Sequence, residues 1–131
     1  MANPVEDNPL ARHGHLSYLE IPATDPQASA AFYEAVFGWR VERRDDGRFS
    51  FTETTGALIG RWVTDRPIVR EPGLMCYIYV ANIDDAISHI PTLGGRVVAP
   101  KREEGDIWVA TFTDPAGNRL GVWQFDAGRQ G

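Results

Sequence analysis

The pentapeptide FGWRV at residues 37–41 recurs in altered form as LGGRV at residues 93–97. A strand-like run precedes each copy, HLSYLEI at 15–21 and LMCYIYV at 74–80, and each run shows the partial apolar alternation of a half-buried strand. A stretch with helical spacing lies between each run and its pentapeptide. Because these segments repeat in the same order, the sequence predicts two copies of one supersecondary unit.

The first helical stretch has clear boundary signals. Asp25 is a good N-cap, Pro26 suits the first turn, and Gly38 allows the left-handed conformation that ends many helices. The spacing i, i+3, i+4, i+7, i+8 predicts an apolar stripe that faces the core. Its members are Ala28, Ala31, Phe32, Ala35 and Val36.

The second helical stretch is shorter. Asn82 is its predicted cap, and Pro91, which has no backbone N–H to donate, is predicted to end or kink it. Three short extended segments follow each helix, separated by turn residues such as Asp46-Gly47 and the stretch DPAGN at 114–118. Each half therefore has the predicted order βαβββ.

Composition indicates a globular protein and argues against several kinds of partner. The chain has 131 residues, 43% of them hydrophobic and 24% charged, which suits one domain with a real core. A net charge of −5 without a basic cluster argues against nucleic acid, and no apolar run reaches the ~18 residues of a membrane span. Residues 1–14 contain prolines and acids where a signal peptide needs an apolar run, and a single cysteine, Cys76, forms no internal disulfide. We expect a cytoplasmic protein that binds neither membranes nor nucleic acid.

Three motifs carry a resemblance to a known group of proteins. LEIP at 19–22, AFYEAVFGW at 31–39 and TDPAGN at 113–118 resemble the glyoxalase, bleomycin-resistance and extradiol dioxygenase group, the vicinal oxygen chelate superfamily, and its small bacterial glyoxalase-like branch in particular. The resemblance extends over about residues 15–125. It implies an α+β fold in which two tandem βαβββ modules form a cup of two curved half-barrel sheets, with the helices outside. The expected organisation is a single domain over 1–131, with module one at about 14–63, a linker at 64–72, module two at about 73–125 and a flexible tail at 126–131.

The same resemblance implies a divalent metal held by four ligands, two from each module. A catalytic metal needs about three nitrogen, oxygen or sulfur donors. The matching positions in this chain offer at most one weak thioether, so we expect no cofactor at the usual site and no usual metal-dependent mechanism. We also expect the glycines that replace acids there to leave space in the cup. The four positions are Leu16, Gly60, Met75 and Gly121.

A non-standard metal site is the alternative. His13 and His15 form an H-x-H pair, a spacing compatible with metal binding. Period-two alternation, however, places His15 on the side of Leu19 and Ile21, which faces the helix, unless the strand contains a bulge. A divalent metal is thus expected only if this pair binds it. By the same alternation, Cys76 is predicted to be a buried, inert thiol on the helix-facing side.

The residues that alternation directs into the cup are largely aromatic. Large apolar walls with few polar groups are typical of small-molecule pockets, so the pattern predicts that the cup binds a small aromatic or hydrophobic molecule. An ordinary core without a ligand is the alternative interpretation. The predicted pocket residues are Tyr18, Glu20, Leu58, Trp62, Met75, Tyr77, Tyr79, Arg119 and Trp123, with Trp108 at the rim.

Glu20 is the acid that this register points inward. Burial among aromatic rings would make it a serviceable general base unless Arg61 or Arg119 pairs with it in a structural ion pair. Two functions therefore remain open: a metal-free binding protein of the bleomycin-resistance kind, and a glyoxalase-like lyase, isomerase or dioxygenase-type enzyme using Glu20 or a metal at His13 and His15. Because half-barrels expose sheet edges, we also expect a homodimer.

Overall fold

The computed structural model describes residues 7–126. The chain divides into two compact units, Met1–Asp65 and Arg66–Gly131, here called the first and second units. The first unit contains β1 (Tyr18–Pro22), α1 (Pro26–Phe37), β2 (Arg40–Arg43), β3 (Phe49–Thr52) and β4 (Ile59–Val63). The second contains β5 (Tyr77–Tyr79), α2 (Ile83–His89), a 3-10 helix (Ile90–Leu93), β6 (Arg96–Glu104), β7 (Ile107–Thr113) and β8 (Arg119–Phe125).

Each unit has one four-stranded mixed sheet, and the two sheets share one topology. The strand orders are β1-β4-β3-β2 and β5-β8-β7-β6. The first strand of each unit pairs in parallel with the last, and the remaining pairs are antiparallel. The predicted α+β class and the βαβββ order of each half are confirmed.

The predicted ends of α1 are also confirmed. The Asp25 carboxylate accepts a hydrogen bond from the Ala28 N–H at 3.3 Å, and Pro26 lies in the first turn. Gly38 has φ of 73° and donates its N–H to the Glu34 carbonyl oxygen at 2.9 Å. Left-handed backbone at this position favours glycine because a Cβ would be strained there.

The apolar stripe of α1 differs from the prediction. Ala28, Ala31 and Ala35 are exposed, whereas Phe32 and Tyr33 are fully buried. The helix is oriented by its two aromatic rings because burying them removes far more apolar area from water than burying alanines. The buried residues of this helix are Ser29, Ala30, Phe32 and Tyr33.

A chain of aromatic contacts forms the core between α1 and the first sheet. Tyr33 stacks on Trp39 with ring centroids 4.8 Å apart, and Trp39 stacks on Phe51 at 4.6 Å. Phe51 in turn contacts Trp62 at 4.9 Å. Four large rings from a helix, a turn and two strands therefore hold the helix-facing side of this sheet together.

The second helix ends as its sequence predicts. Asn82 caps α2 by accepting from the Asp85 N–H at 3.0 Å, and the α-helix stops at His89. Pro91 lies in the 3-10 turn that follows, and Gly94, with φ of 91°, closes it. No helix within residues 7–126 has the length and apolar character needed to cross a membrane.

Some strand boundaries differ from those expected. β1 starts at Tyr18 and β5 at Tyr77, so His15 and Met75 precede the strands instead of lying within them. β6 continues through the charged residues 101–104 and ends at Glu104. Register irregularities at Val97 to Ala99 and Ala99 to Arg102 let the strand pass Pro100, which cannot donate to the ladder.

The Asp-Pro-Ala-Gly-Asn turn before β8 is a buried polar network. Asp114 Oδ1 accepts the N–H groups of Ala116, Gly117 and Asn118, each at 3.0 Å, and Asp114 Oδ2 accepts from Asn118 Nδ2 at 2.9 Å. Asn118 Oδ1 then accepts from the Val69 N–H at 2.8 Å. Within the second unit, the turn therefore fixes both the start of β8 and the segment that precedes β5.

Candidate functional site

Each sheet has a face turned away from its own helix, here called the open face. In the first unit, strand pairing sets the open-face side chains in two rows across the sheet. One row contains Tyr18, Ile59, Thr52 and Arg40, and the next contains Glu20, Arg61, Ser50 and Glu42.

Glu20 is engaged by two neighbours on this face. Arg61 Nε donates to Glu20 Oε2 at 3.0 Å, and the Tyr18 hydroxyl donates to the same oxygen at 3.3 Å. The hydrogen bond to Glu20 raises the pKa of Arg61 above its usual range. Of the two arginines considered as partners for Glu20, the structure pairs it with Arg61, whose side chain is 39% exposed against 22% for Glu20.

A groove of about 640 Å³ lies over the open face of the first unit. Half of its fourteen lining residues are charged, unlike the aromatic pocket expected from sequence, and among the predicted pocket residues Tyr18 contributes to it. The charged lining residues are Arg40, Glu42, Arg44, Asp45, Asp46, Arg48 and Arg61. Sequence reasoning missed the arginines of β2 and of the β2–β3 turn, although the alternation of Arg40 and Glu42 places both on one face.

Trp62 does not lie on the open face, so its predicted position is wrong. Its ring contacts Tyr33 of α1 at a centroid distance of 5.8 Å and is 3% exposed. The pairing of Ile21 with Trp62 explains the error, because partners in a parallel pair share a face and Ile21 is buried toward the helix.

The two glycines at the inferred metal-ligand positions leave no free space. A Cβ on Gly60 would lie 1.9 Å from the Leu19 carbonyl oxygen and 2.5 Å from Phe51, on the helix-facing side. A Cβ on Gly121 would lie 2.4 Å from the Tyr77 ring. The expected cavity is therefore wrong at both positions, since neighbouring groups fill the volume that each missing side chain would occupy.

The open face of the second unit is aromatic. Leu120 and Val122 are buried on the other side of β8, so alternation places the intervening residues on the open face. Trp123 contacts Tyr79 and Phe125 edge to face, each with ring centroids 4.9 Å apart. Exposed fractions of 50% for Tyr79 and 42% for Phe125 show that these rings are half open to solvent. The members of this face on β5 and β8 are Tyr77, Tyr79, Arg119, Gly121, Trp123 and Phe125.

Trp108 belongs to the helix-facing side of the second sheet instead of the predicted rim. It pairs with Gln124, whose Oε1 accepts from the Ile83 N–H at the start of α2 at 2.7 Å. Lys101 Nζ lies 4.7 Å from the centroid of the Trp108 ring and 2.9 Å from a carboxylate oxygen of Asp84 in α2. This indole therefore takes part in attaching the helix.

The remaining predicted pocket residues lie just outside the strands. Leu58 is half-buried before β4, and Met75 is half-buried before β5. Leu16 is 82% exposed. Cys76 is exposed, so the expectation of a buried thiol is wrong, and its carbonyl oxygen accepts the Gly121 N–H at 2.9 Å.

Two side chains that could bind a metal, Glu20 and His15, make other contacts in the structure. On the open face, the residue of β4 beside Glu20 is Arg61. The Arg61 guanidinium donates a hydrogen bond to the Glu20 carboxylate, the group that a cation would need as a ligand. His13 and His15 are exposed, and the His15 ring bonds to the Ala57 carbonyl. Within residues 7–126, no three His, Cys, Asp or Glu side chains come close enough together to share an ion.

Comparison with known proteins agrees with this architecture. A family model described as "Glyoxalase-like domain" matches residues 18–123, so the chain belongs to the glyoxalase-like family. The recognition from the three sequence motifs is confirmed.

Three similar proteins illustrate this membership. "Putative glyoxylase CFP32" of Mycobacterium tuberculosis is 29% identical over 86% of this chain and 46% of its own length, and "Anthracycline biosynthesis protein DnrV" of Streptomyces peucetius is 30% identical over 85% and 47%. The chain thus spans about half the length of these relatives. The structure of TnmS3, an antibiotic binding protein from Streptomyces sp. CB03234, superposes with a TM-score of 0.64 over 86% of this chain and 96% of that one, at 19% identity. At that identity the likeness shows the fold alone.

Proposed function

We propose that the chain binds a small molecule with a flat aromatic ring system on the open face of the second unit. The observation that carries the proposal is the cluster of Tyr79, Trp123 and Phe125, whose rings contact one another, with those of Tyr79 and Phe125 half exposed. Rings held in edge-to-face contact are already ordered, so stacking a ligand on them costs little side-chain entropy.

Arg119 gives this face a polar contact. It lies on the same side of β8 as Trp123, and its Nε is buried without a hydrogen-bond partner among residues 7–126. An unpaired buried donor is costly, and a ligand carbonyl or phenolic oxygen within reach of the guanidinium would offset part of that cost. The preferred ligand is therefore an aromatic molecule that also carries oxygen acceptors.

The names of two similar proteins support this class of ligand. TnmS3 is described as an antibiotic binding protein, and DnrV as an anthracycline biosynthesis protein. Anthracyclines are built on a flat fused-ring system with carbonyl and phenolic oxygens, which matches the chemistry of the open face. We propose a ligand of that general kind for this chain.

Catalysis by Glu20 as a general base receives less support. The carboxylate is held by Arg61 and by the Tyr18 hydroxyl, and proton abstraction would require this hydrogen-bonded ion pair to weaken. The alternative enzymatic function thus needs a substrate that displaces Arg61. Replacing Glu20 by Gln should leave binding at the aromatic face unchanged, since the proposed ligand contacts come from Tyr79, Trp123, Phe125 and Arg119.

Binding of quinizarin, an uncharged dihydroxyanthraquinone, tests the proposal. We expect saturable quenching of tryptophan fluorescence, with Kd raised at least about tenfold in Trp123→Ala, because base-like stacking on one aromatic ring is worth ~1–3 kcal/mol. Trp108→Ala is the matched control, since it removes an indole from the opposite face of the same sheet. Equal loss of affinity in the two variants, or absence of saturable binding to the unaltered chain, would contradict the proposal.

We also propose that the chain forms a homodimer. β1 and β2 are the edges of the first sheet, and β5 and β6 the edges of the second, and such edges are natural surfaces for a second copy. Light scattering coupled to size-exclusion chromatography measures the mass directly. A monomeric mass across a range of protein concentrations would overturn this part of the proposal.

A further inference from the structure

The groove on the open face of the first unit offers a kind of recognition that the aromatic face of the second unit lacks. Its volume of about 640 Å³ is within the range of ~300–1,000 Å³ that small-molecule pockets occupy. It is lined by four arginines and three acids, so it offers charge recognition where the aromatic face offers ring contacts.

Most of the charged groups of the groove already have partners. Arg44 lies 3.5 Å from Glu42 and donates to the Ser50 hydroxyl at 3.1 Å. Arg48 pairs with Asp46 at 3.3 Å, and Arg61 is committed to Glu20. These contacts engage three of the four guanidinium groups and leave them less capacity for a ligand.

Arg40 differs from the other three arginines. Within residues 7–126 its guanidinium has neither an ion-pair nor a hydrogen-bond partner, although the side chain lines the groove. Its five N–H donors form a planar fork that matches a carboxylate in two-point contact. An unused guanidinium in a groove is therefore a ready site for an anionic group.

The row of side chains that begins at Arg40 suits the rest of such a ligand. Thr52, Ile59 and Tyr18 follow Arg40 across the sheet in register. Neighbouring strands are ~4.8 Å apart, so the row spans roughly 14 Å, enough for a two-ring molecule. Beyond the guanidinium it offers a hydroxyl, an aliphatic side chain and an aromatic ring.

We infer that this groove is a second binding site, specific for a small monocarboxylate with an apolar body, with the carboxylate on Arg40 and the body over Ile59 and Tyr18. A single negative charge is favoured over a doubly charged phosphate because Glu42, Asp45 and Asp46 also line the groove and repel added charge. All the residues that line this groove belong to the first unit.

Naphthoate is the probe, and a backbone NMR titration both locates it and measures its affinity. We expect shifts concentrated at Arg40, Thr52 and Ile59, with Kd raised at least about tenfold in Arg40→Gln, in keeping with the loss of a charge-assisted hydrogen bond. The matched control is Arg43→Gln, which removes the same charge from the same strand on the side where Arg43 lies over the Phe49 ring. Naphthamide has no charge. Its affinity for the unaltered chain should therefore be no higher than the affinity of naphthoate for Arg40→Gln.

Three results would overturn the inference. They are the absence of shifts at these three residues, an equal effect of the two arginine substitutions, and naphthamide binding as tightly as naphthoate. Naphthoate shifts confined to Tyr79 and Trp123 would place the probe on the aromatic face and refute the groove while leaving the proposed function standing. Quinizarin binding remains a separate measurement, so failure of either site is recognised independently.

Discussion

Trp62 and Trp123 occupy sheet positions that look alike in the sequence but have opposite surroundings. Trp62 is 3% exposed and contacts Tyr33 and Phe51, whereas Trp123 lies among half-exposed rings. Each follows an alternating strand pattern, so the residue type alone does not say which face is covered. The physical discriminator is the partner strand, since Ile21 beside Trp62 is buried under α1.

Truncating these two indoles should separate stability from binding. Trp62→Ala is expected to lower the free energy of unfolding by about 3–5 kcal/mol, the usual cost of removing a buried aromatic ring. Trp123→Ala should cost about 1 kcal/mol because much of that neighbourhood is exposed. Urea denaturation measures both values, and a larger loss for Trp123 than for Trp62 would contradict the assignment of faces.

Position 60 requires glycine because neighbouring groups approach it closely, and not because of its backbone conformation. The carbonyl of Leu19 and the ring of Phe51 leave no room for a methyl group between β1 and β4. Gly60→Ala should destabilise the chain by about 3 kcal/mol, at the upper end of typical overpacking costs, because the backbone of β1 must shift. Gly73→Ala is the control, since a Cβ at Gly73 has nothing within 4 Å, and equal midpoints in denaturant for the two variants would refute this account.

At the scale of single elements, the Asp-Pro-Ala-Gly-Asn turn combines local signals with a long-range contact. Pro and Gly predict the turn, and Gly117 indeed has φ of 105°. The contact from Asn118 to the Val69 N–H joins residues far apart in the chain, and no local pattern reveals it. This is why the turn was predictable but its attachment to the segment before β5 was not.

Removing the Asp114 carboxylate should destabilise the second unit. Asp114→Ala leaves three turn N–H groups without their acceptor, and we expect a loss of about 2–4 kcal/mol in the free energy of unfolding. Asp45→Ala removes the same charge from an exposed turn and should change stability by less than about 0.5 kcal/mol. Hydrogen exchange at Val69 should also accelerate in the Asp114 variant, and unchanged protection there would argue against the network.

Hydrogen bonds to Glu53 in the turn between β3 and β4 make the free energy of unfolding depend on pH in the acid range. Burial raises the pKa of Glu53, but hydrogen bonds from the Thr55 hydroxyl and the Ala57 N–H outweigh it and lower the pKa below its ordinary value of 4.5. A depressed folded-state pKa adds stability that is present above 4.5 and is lost as pH falls through the folded value. The free energy of unfolding, measured above and below that pH range, should fall less on acidification for Glu53→Gln than for the unaltered chain. Identical pH profiles for the two proteins would contradict this role of Glu53.

At the scale of the whole molecule, the sequence predicted the repeated architecture better than the site. Periodicity, caps and turn residues are local, so the βαβββ order of each half and both ends of α1 could be predicted from them. The face that each residue occupies depends on register between strands that are distant in sequence, and a boundary shift of a few residues changes it. Gly60, Trp62 and Trp108 were misassigned for that reason, and the charged groove was missed because its arginines come from several strands.

Family membership shows the fold but not the ligand. The glyoxalase-like fold carries different chemistries, and the function of a member depends on the side chains of its open faces. Here those side chains are aromatic on the second unit and charged on the first. The proposed function therefore requires a flat ligand to contact the rings of the second unit.

The indole N–H signals of the four tryptophans, observed by nitrogen-15 NMR during a quinizarin titration, test that point most directly. Each signal is assigned from a single Trp→Phe variant. We predict a saturable shift of the Trp123 indole signal, with those of Trp39, Trp62 and Trp108 almost unmoved because these indoles lie toward the helices. An unmoved Trp123 signal at saturation, or a larger shift of Trp62 or Trp108, would contradict binding at the aromatic open face.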